Sequence, residues 1–91
     1  MKSHFEISVQ GRVQGVGYRY FVKARALELN LKGFVRNGRD GGVLIEAEGE
    51  RADLDVFLDY LKIGPALARV DHVEVSRAEF SGSFEDFVIR H

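Results

Sequence analysis

The sequence contains no cysteine and no tryptophan, and it has one proline in 91 residues. Without cysteine there can be no disulfide framework, no thiol nucleophile and no thiolate metal site, and such a chain suits a reducing compartment. No apolar run approaches the roughly 18 residues of a membrane-spanning helix, and residues 1–6 lack the apolar core of a secretory signal. We therefore expect a soluble, cytoplasmic protein with no membrane partner.

An excess of charge of either sign is also missing. Thirteen basic and 14 acidic residues give a net charge of −1, so the chain has no general attraction for nucleic acid and any anion site must be local. The histidines, His4, His72 and His91, share no spacing typical of metal ligands, so we expect no metal and no cofactor. The length predicts one domain over residues 1–91.

The patterns that are present predict the secondary structure. Alternating apolar residues indicate strands, and apolar residues three or four positions apart indicate helices. Asn30 is expected to end the first helix in a left-handed conformation, and Ser81-Gly82-Ser83 is expected to be the turn between the last two strands. The predicted elements are a strand at 3–10, a helix at 18–29, strands at 31–37 and 43–47, a helix ending before Gly64-Pro65, and short strands around Val73–Val75 and Phe87–Ile89.

This order, β-α-β-β-α-β with a short extra C-terminal strand, predicts an α+β fold. Crossovers between parallel strands are almost always right-handed, so two such units sharing a hairpin give one sheet with both helices on one face. We expect the ferredoxin-like α/β sandwich with an antiparallel sheet. The fold alone does not name a function, because unrelated binding proteins and enzymes share it.

A glycine-rich loop between the first strand and the first helix is the clearest candidate site. Gly11, Gly15 and Gly17 are followed by Arg19 at the start of the helix. Such glycines let several backbone N–H groups face one point beside the positive end of the helix dipole, and arginine matches phosphate oxygens. The glycine spacing alone does not distinguish this anion site from an ordinary turn.

Asn37 is the second candidate. The first helix carries the chain away by about 17 Å, and the next strand returns it by about 20 Å, so Asn37 should lie level with Arg19. A carboxamide can hold a water or a substrate oxygen but cannot titrate as a base. An ordinary turn residue before Gly38 is the alternative interpretation.

Two longer stretches match a known family. Val9 to Arg19, reading V-Q-G-R-V-Q-G-V-G-Y-R, resembles the first signature of the acylphosphatases. The residues from Gly33 to Asn37, continuing to Gly41, Val43 and Gly49, resemble the second signature, and residues 64–70 and 87–90 show weaker similarity. Together these matches cover nearly the whole chain in the order found in the family.

The resemblance implies an enzyme that hydrolyses acyl phosphates to a carboxylate and inorganic phosphate without metal or cofactor. It implies that Arg19 binds the phosphate, that Asn37 orients the attacking water, and that backbone N–H groups cradle the phosphate. Those N–H groups would belong to Gly15, Val16, Gly17, Tyr18 and Arg19. The implied partners are a small acyl phosphate as substrate and phosphate as product or inhibitor, with the protein acting as a monomer.

Two departures and two alternatives accompany this resemblance. Asn30 stands where glycine is common, a change that the helix cap can tolerate. Tyr18 stands where phenylalanine is usual, which would add a hydroxyl near the phosphate loop. The chain could instead be a non-catalytic ferredoxin-like module that binds an anion or RNA. It could also be related to the acylphosphatase-like domain of a carbamoyl-phosphate-using hydrogenase maturation factor, although the 91 residues hold none of that protein's other domains.

Overall fold

The computed structural model describes residues 1–91 and contains two helices and one five-stranded sheet. The strands lie in the order β4-β1-β3-β2-β5, and the prediction of a ferredoxin-like α+β fold is confirmed. Neither helix is long and apolar enough to cross a membrane. The elements are β1 (Lys2–Arg12), α1 (Tyr18–Glu28), β2 (Lys32–Asn37), β3 (Val43–Glu50), α2 (Arg51–Ile63), β4 (Arg69–Ala78) and β5 (Phe87–Arg90).

The sheet is mixed rather than purely antiparallel, which corrects the prediction. β1 pairs antiparallel with β3 and β4, and β2 pairs antiparallel with β3, but the short β5 pairs parallel with β2. Strand direction at an edge depends on the route of the connecting chain, and local periodicity does not record that route.

The core lies between the sheet and the two helices. Alternate residues of β1 and β3 point to it, because successive side chains of a strand face opposite sides of the sheet. From α1 it receives Tyr18, Val22 and Ala26, at the helical spacing expected from the sequence. The other buried apolar residues include Phe5, Ile7, Val9, Val35, Val43, Ile45, Ala47, Leu54, Phe57, Leu61 and Phe87.

The ends of the helices follow the predicted signals. α1 ends at Glu28, and Asn30 takes the left-handed conformation that was predicted, with φ 56°. The backbone N–H of Leu31 then donates to the Ala26 carbonyl at 2.9 Å. α2 ends before Gly64, which has φ 71°. Both residues stop the helix by adopting a positive φ.

The connection between β4 and β5 is not the turn predicted at Ser81-Gly82-Ser83. These strands form opposite edges of the sheet, so residues 79–86, here called the crossing segment, pass over the face that is free of helices. Phe84 of this segment lies against His4 of β1 and Phe34 of β2, with ring centroids 6.1 Å apart in each pair.

Glu48 of β3 anchors the crossing segment. Its side chain is 1% exposed and accepts hydrogen bonds from the Ser81 backbone N–H and hydroxyl at 2.8 and 2.7 Å, and from the Gly82 N–H at 3.0 Å. Burial raises the pKa of this carboxyl, but the hydrogen bonds from Ser81, His4 and Gly82 outweigh it and bring the pKa to about 2. The segment is therefore held by a buried carboxylate.

Candidate active site

The loop between β1 and α1 has the conformation that its glycines permit. Gly15 and Gly17 have φ values of 71° and 80°, and Gly17 immediately precedes α1. A Cβ atom at either position would meet no atom within 4 Å. Glycine is therefore favoured at both positions by the positive φ of the backbone, and not by a lack of room for a side chain. The loop faces open space.

The backbone N–H groups of residues 15–19 are free. None of them donates a hydrogen bond to another protein group, whereas the N–H of Phe21 already bonds the Gly17 carbonyl at 3.1 Å. Gly17 supplies no side-chain cap for α1. Since the first N–H groups of a helix need an external acceptor, this loop offers several donors to an anion.

Arg19 adds a permanent positive charge to the first turn of α1. That turn contains no acidic residue, so the arginine and the helix dipole both favour a negative ligand. The Nη1 atom of Arg19 lies 3.4 Å from the Arg90 carbonyl, to which it donates, and 3.3 Å from Nδ1 of His91. The guanidinium is therefore held against the end of β5.

Asn37 lies at the same end of the sheet as Arg19. It is the last residue of β2, and the preceding residue, Arg36, is in register with Arg90, the residue whose carbonyl bonds Arg19. The Oδ1 atom of Asn37 is buried and accepts no hydrogen bond from the protein. A buried amide oxygen without a protein partner is suited to a water or a substrate group.

Gln14 is a positioning residue that the sequence did not reveal. Its Nε2 atom donates to the carbonyls of Gly38 and Gly42, at 2.9 Å in both cases. These bonds tie the glycine-rich loop to the hairpin that follows Asn37. The partners are backbone atoms more than 20 residues away, and no motif in the sequence marks them.

Asp40 stabilises the same hairpin. It accepts hydrogen bonds from the Gly42 N–H and from Nε2 of Gln10, both at 3.0 Å. The bond from Gly42, followed by that from Gln10, lowers the pKa of this exposed carboxyl. Gln10, before Gly11, and Gln14, after it, therefore both bond to the hairpin between β2 and β3.

The Tyr18 hydroxyl bonds to α2 and adds no hydrogen bond to the phosphate loop, which corrects the expectation drawn from the resemblance. Tyr18 is 1% exposed and its hydroxyl donates to the Leu61 carbonyl of α2 at 2.8 Å. Burial also raises the pKa of this phenol. The side chain of Tyr18 joins the two helices, so this residue contributes only its backbone N–H group to the loop. Val16 likewise contributes its backbone N–H group, because its side chain packs against the core.

Comparison with known proteins gives one consistent result. A model of the acylphosphatase family matches residues 5–89. The chain is 50% identical over 86 residues to an acylphosphatase of Archaeoglobus fulgidus, covering 94% of this chain and 96% of that protein. It is 54% identical over 74 residues to an acylphosphatase of Thermus thermophilus, covering 81% of this chain and 84% of that protein.

The folds agree as well. The crystal structure of the acylphosphatase from Bacillus subtilis superimposes with a TM-score of 0.95 at 37% identity, and the match covers 100% of both chains.

Proposed function

The chain belongs to the acylphosphatase family, and we propose that it hydrolyses acyl phosphates with the phosphoryl group held at the start of α1 and Asn37 orienting the water. The observation that carries this proposal is the group of free N–H donors at residues 15–19 beside Arg19, in a turn without a carboxylate. The substrate is a small acyl phosphate, and the products are a carboxylate and inorganic phosphate.

The reaction demands little acid–base chemistry. The water oxygen forms a new bond to phosphorus while the bond from phosphorus to the acyl oxygen breaks, and its electrons leave with the carboxylate. A carboxylate is a stable anion at neutral pH, so no general acid is required. The proton of the water passes to an oxygen of the phosphate itself.

The protein then has two tasks, namely to position the water and to stabilise charge on the equatorial phosphate oxygens. We assign the second task to Arg19 and the loop N–H groups, which are fixed before the substrate arrives. The first task falls to Asn37, whose Oδ1 atom is buried and lacks a protein partner. This set of residues requires no metal or cofactor.

A non-catalytic module that binds an anion or RNA is not favoured. β3 contains no aromatic residue on which a base could stack. The helix-free face also presents the carboxylates of Glu6, Glu46 and Glu74, which repel the phosphates of a nucleic acid.

The decisive experiment measures phosphate release from benzoyl phosphate in the presence of a metal chelator. We expect Asn37→Ala to lower kcat/KM by at least about 10²-fold, because the water loses its orienting group. Asn30→Gly is the matched control, since Asn30 has a positive φ that glycine accepts. A phosphomonoester should not be hydrolysed. Wild-type rates in folded Asn37→Ala would refute the proposed role of Asn37.

Oligomeric state and location remain predictions. We propose that the chain acts as a monomer, because the loop, Arg19 and Asn37 all come from one chain, and that it acts in the cytoplasm, because a chain without cysteine suits a reducing compartment. Size-exclusion chromatography with light scattering should give a mass near 10.3 kDa, and a stable dimer would contradict this.

A further inference from the structure

His4 of β1 lies far from the candidate active site. It is 6% exposed on the helix-free face, beneath Phe84 of the crossing segment. Val9, not His4, is the residue of β1 level with Asn37, because both pair with Val43. His4 comes five residues earlier in the strand, about 17 Å away. A role for His4 must therefore be sought outside the phosphate loop.

The two ring nitrogens of His4 have different surroundings. Nδ1 lies 2.6 Å from Oε2 of Glu48, and the same carboxylate accepts from Ser81 and Gly82. Because Glu48 can only accept, Nδ1 is the donor in this contact, and Nε2 is the ring nitrogen left for another partner. Nε2 makes no hydrogen bond, and two further carboxylates lie within 4 Å of it.

Those carboxylates belong to Glu6 of β1 and Glu46 of β3. Oε1 of Glu46 lies 3.2 Å from Nε2 of His4, and Oε2 of Glu6 lies 3.8 Å from it. The two glutamates are directly opposite each other in the register of β1 and β3. Like charges at opposite positions of a strand pair destabilise the sheet, so this arrangement favours a cation between them.

We propose that Nε2 of His4 and the carboxylates of Glu6 and Glu46 bind a divalent transition-metal ion of the Zn²⁺ class. The three ligand atoms all lie within 4.8 Å of one another. A tetrahedral ion with bonds of about 2.0–2.2 Å separates its ligand atoms by roughly 3.3–3.6 Å, close to the distances around Nε2. Solvent supplies the fourth ligand on the open side of the sheet.

The chemistry of the donors narrows the choice of ion. A neutral imidazole with two carboxylates carries two negative charges, which a divalent ion balances. Imidazole nitrogen favours zinc-like ions over magnesium and calcium, which prefer oxygen ligands. Glu48 supplies the carboxylate that typically orients a metal-binding histidine through its other ring nitrogen.

The ion would join neighbouring strands and, through Glu48, the crossing segment. We therefore expect it to act on stability and not on hydrolysis. Sequence spacing does not reveal this site, because Glu46 and Glu48 lie on a different strand from His4 and Glu6. The proposal is independent of the proposed enzymatic function, so either can fail without the other.

The test uses the 91-residue chain after treatment with a chelator. Binding of Zn²⁺ is measured by titration calorimetry, and Co²⁺ replaces Zn²⁺ where the geometry of the site is read from its absorption spectrum. We expect one equivalent to bind, tetrahedral Co²⁺ bands to appear, and the thermal unfolding midpoint to rise with Zn²⁺. Glu46→Gln should weaken binding by more than about 10-fold, and Glu48→Gln by about 10–100-fold. His72→Asn is the control, because exposed His72 also lies 3.2 Å from a glutamate, Glu74.

Three outcomes would overturn the proposal. The first is a wild-type chain that shows neither Co²⁺ bands nor a shift of the unfolding midpoint with Zn²⁺. The second is a Glu46→Gln variant, folded by circular dichroism, that binds as tightly as wild type. The third is loss of binding in His72→Asn, which would place the metal on the exposed pair.

Discussion

The two helices begin in opposite ways, although each follows a strand in the same fold. At the start of α2, Asp53 lies in the first turn, and the Arg51 N–H donates to the Met1 carbonyl at 2.9 Å. At the start of α1, the corresponding N–H groups are free and the first turn contains Arg19 but no carboxylate. Neither helix has a side-chain N-cap, but the α2 start has a carboxylate that complements its dipole and a backbone partner for its first N–H group, whereas the α1 start has neither.

The sharpest test of this comparison exchanges one arginine at each start. Arg19→Gln should lower kcat/KM for benzoyl phosphate by at least about 10²-fold, because charge on the phosphate oxygens loses its principal donor. Arg51→Gln in α2 should stay within about twofold of wild type. Steady-state kinetics on both folded variants measures the difference, and equal effects would remove the distinction between the helix starts.

The second test concerns the backbone at Gly17. Gly17→Ala places a Cβ on a residue with φ 80°, which should cost about 1–2 kcal/mol of unfolding free energy and also weaken phosphate binding. Gly82→Ala in the crossing segment, with φ 67°, should lose stability while activity is kept. Urea unfolding and kinetics report the two quantities, and full activity in Gly17→Ala would contradict the loop's role.

A third test uses phosphate itself. At ten times its dissociation constant, inorganic phosphate should stabilise the wild-type chain by about 1.4 kcal/mol, because it binds only the folded loop. Differential scanning calorimetry should show a midpoint raised by several degrees. The rise should vanish in Arg19→Gln and persist in Arg51→Gln; persistence in both would place the anion elsewhere.

The smallest effect is expected at the start of α2. Asp53→Asn removes a charge that favours the helix dipole and should lower the unfolding free energy by about 0.3–1 kcal/mol at low salt. Hydrolysis should be unchanged. A marked loss of activity in this variant would show that the α2 start also contributes to the site.

Much of this fold follows from local patterns. The alternation of Phe5, Ile7 and Val9 predicted β1, and Asn30 ended α1 as expected. The parallel pairing of β5 and the path of the crossing segment were not predicted, because they depend on contacts between residues far apart in the sequence. Ser81 is an example: its sequence context indicates a turn, but its partner is Glu48.

The same limit applies to the site. Arg19 could be proposed because the glycines and the helix start beside it are local features of the sequence. Asn37 could be proposed because the lengths of the helix and the strand before it are also local features. The family resemblance supplied the roles of both residues. Gln14 could not be proposed, since its partners are carbonyls of a distant hairpin. The cluster around His4 was missed because its ligands come from two strands and have no characteristic spacing.

The contact of Arg19 with Arg90 spans 71 residues of sequence and has a consequence for folding kinetics. Closing a loop of this length costs conformational entropy that one exposed hydrogen bond does not offset, so the contact depends on the packing of β5 against the sheet. β5 must therefore dock before Arg19 acquires its partner. During refolding, catalytic activity should return with the docking of β5 and not with the formation of the helices alone.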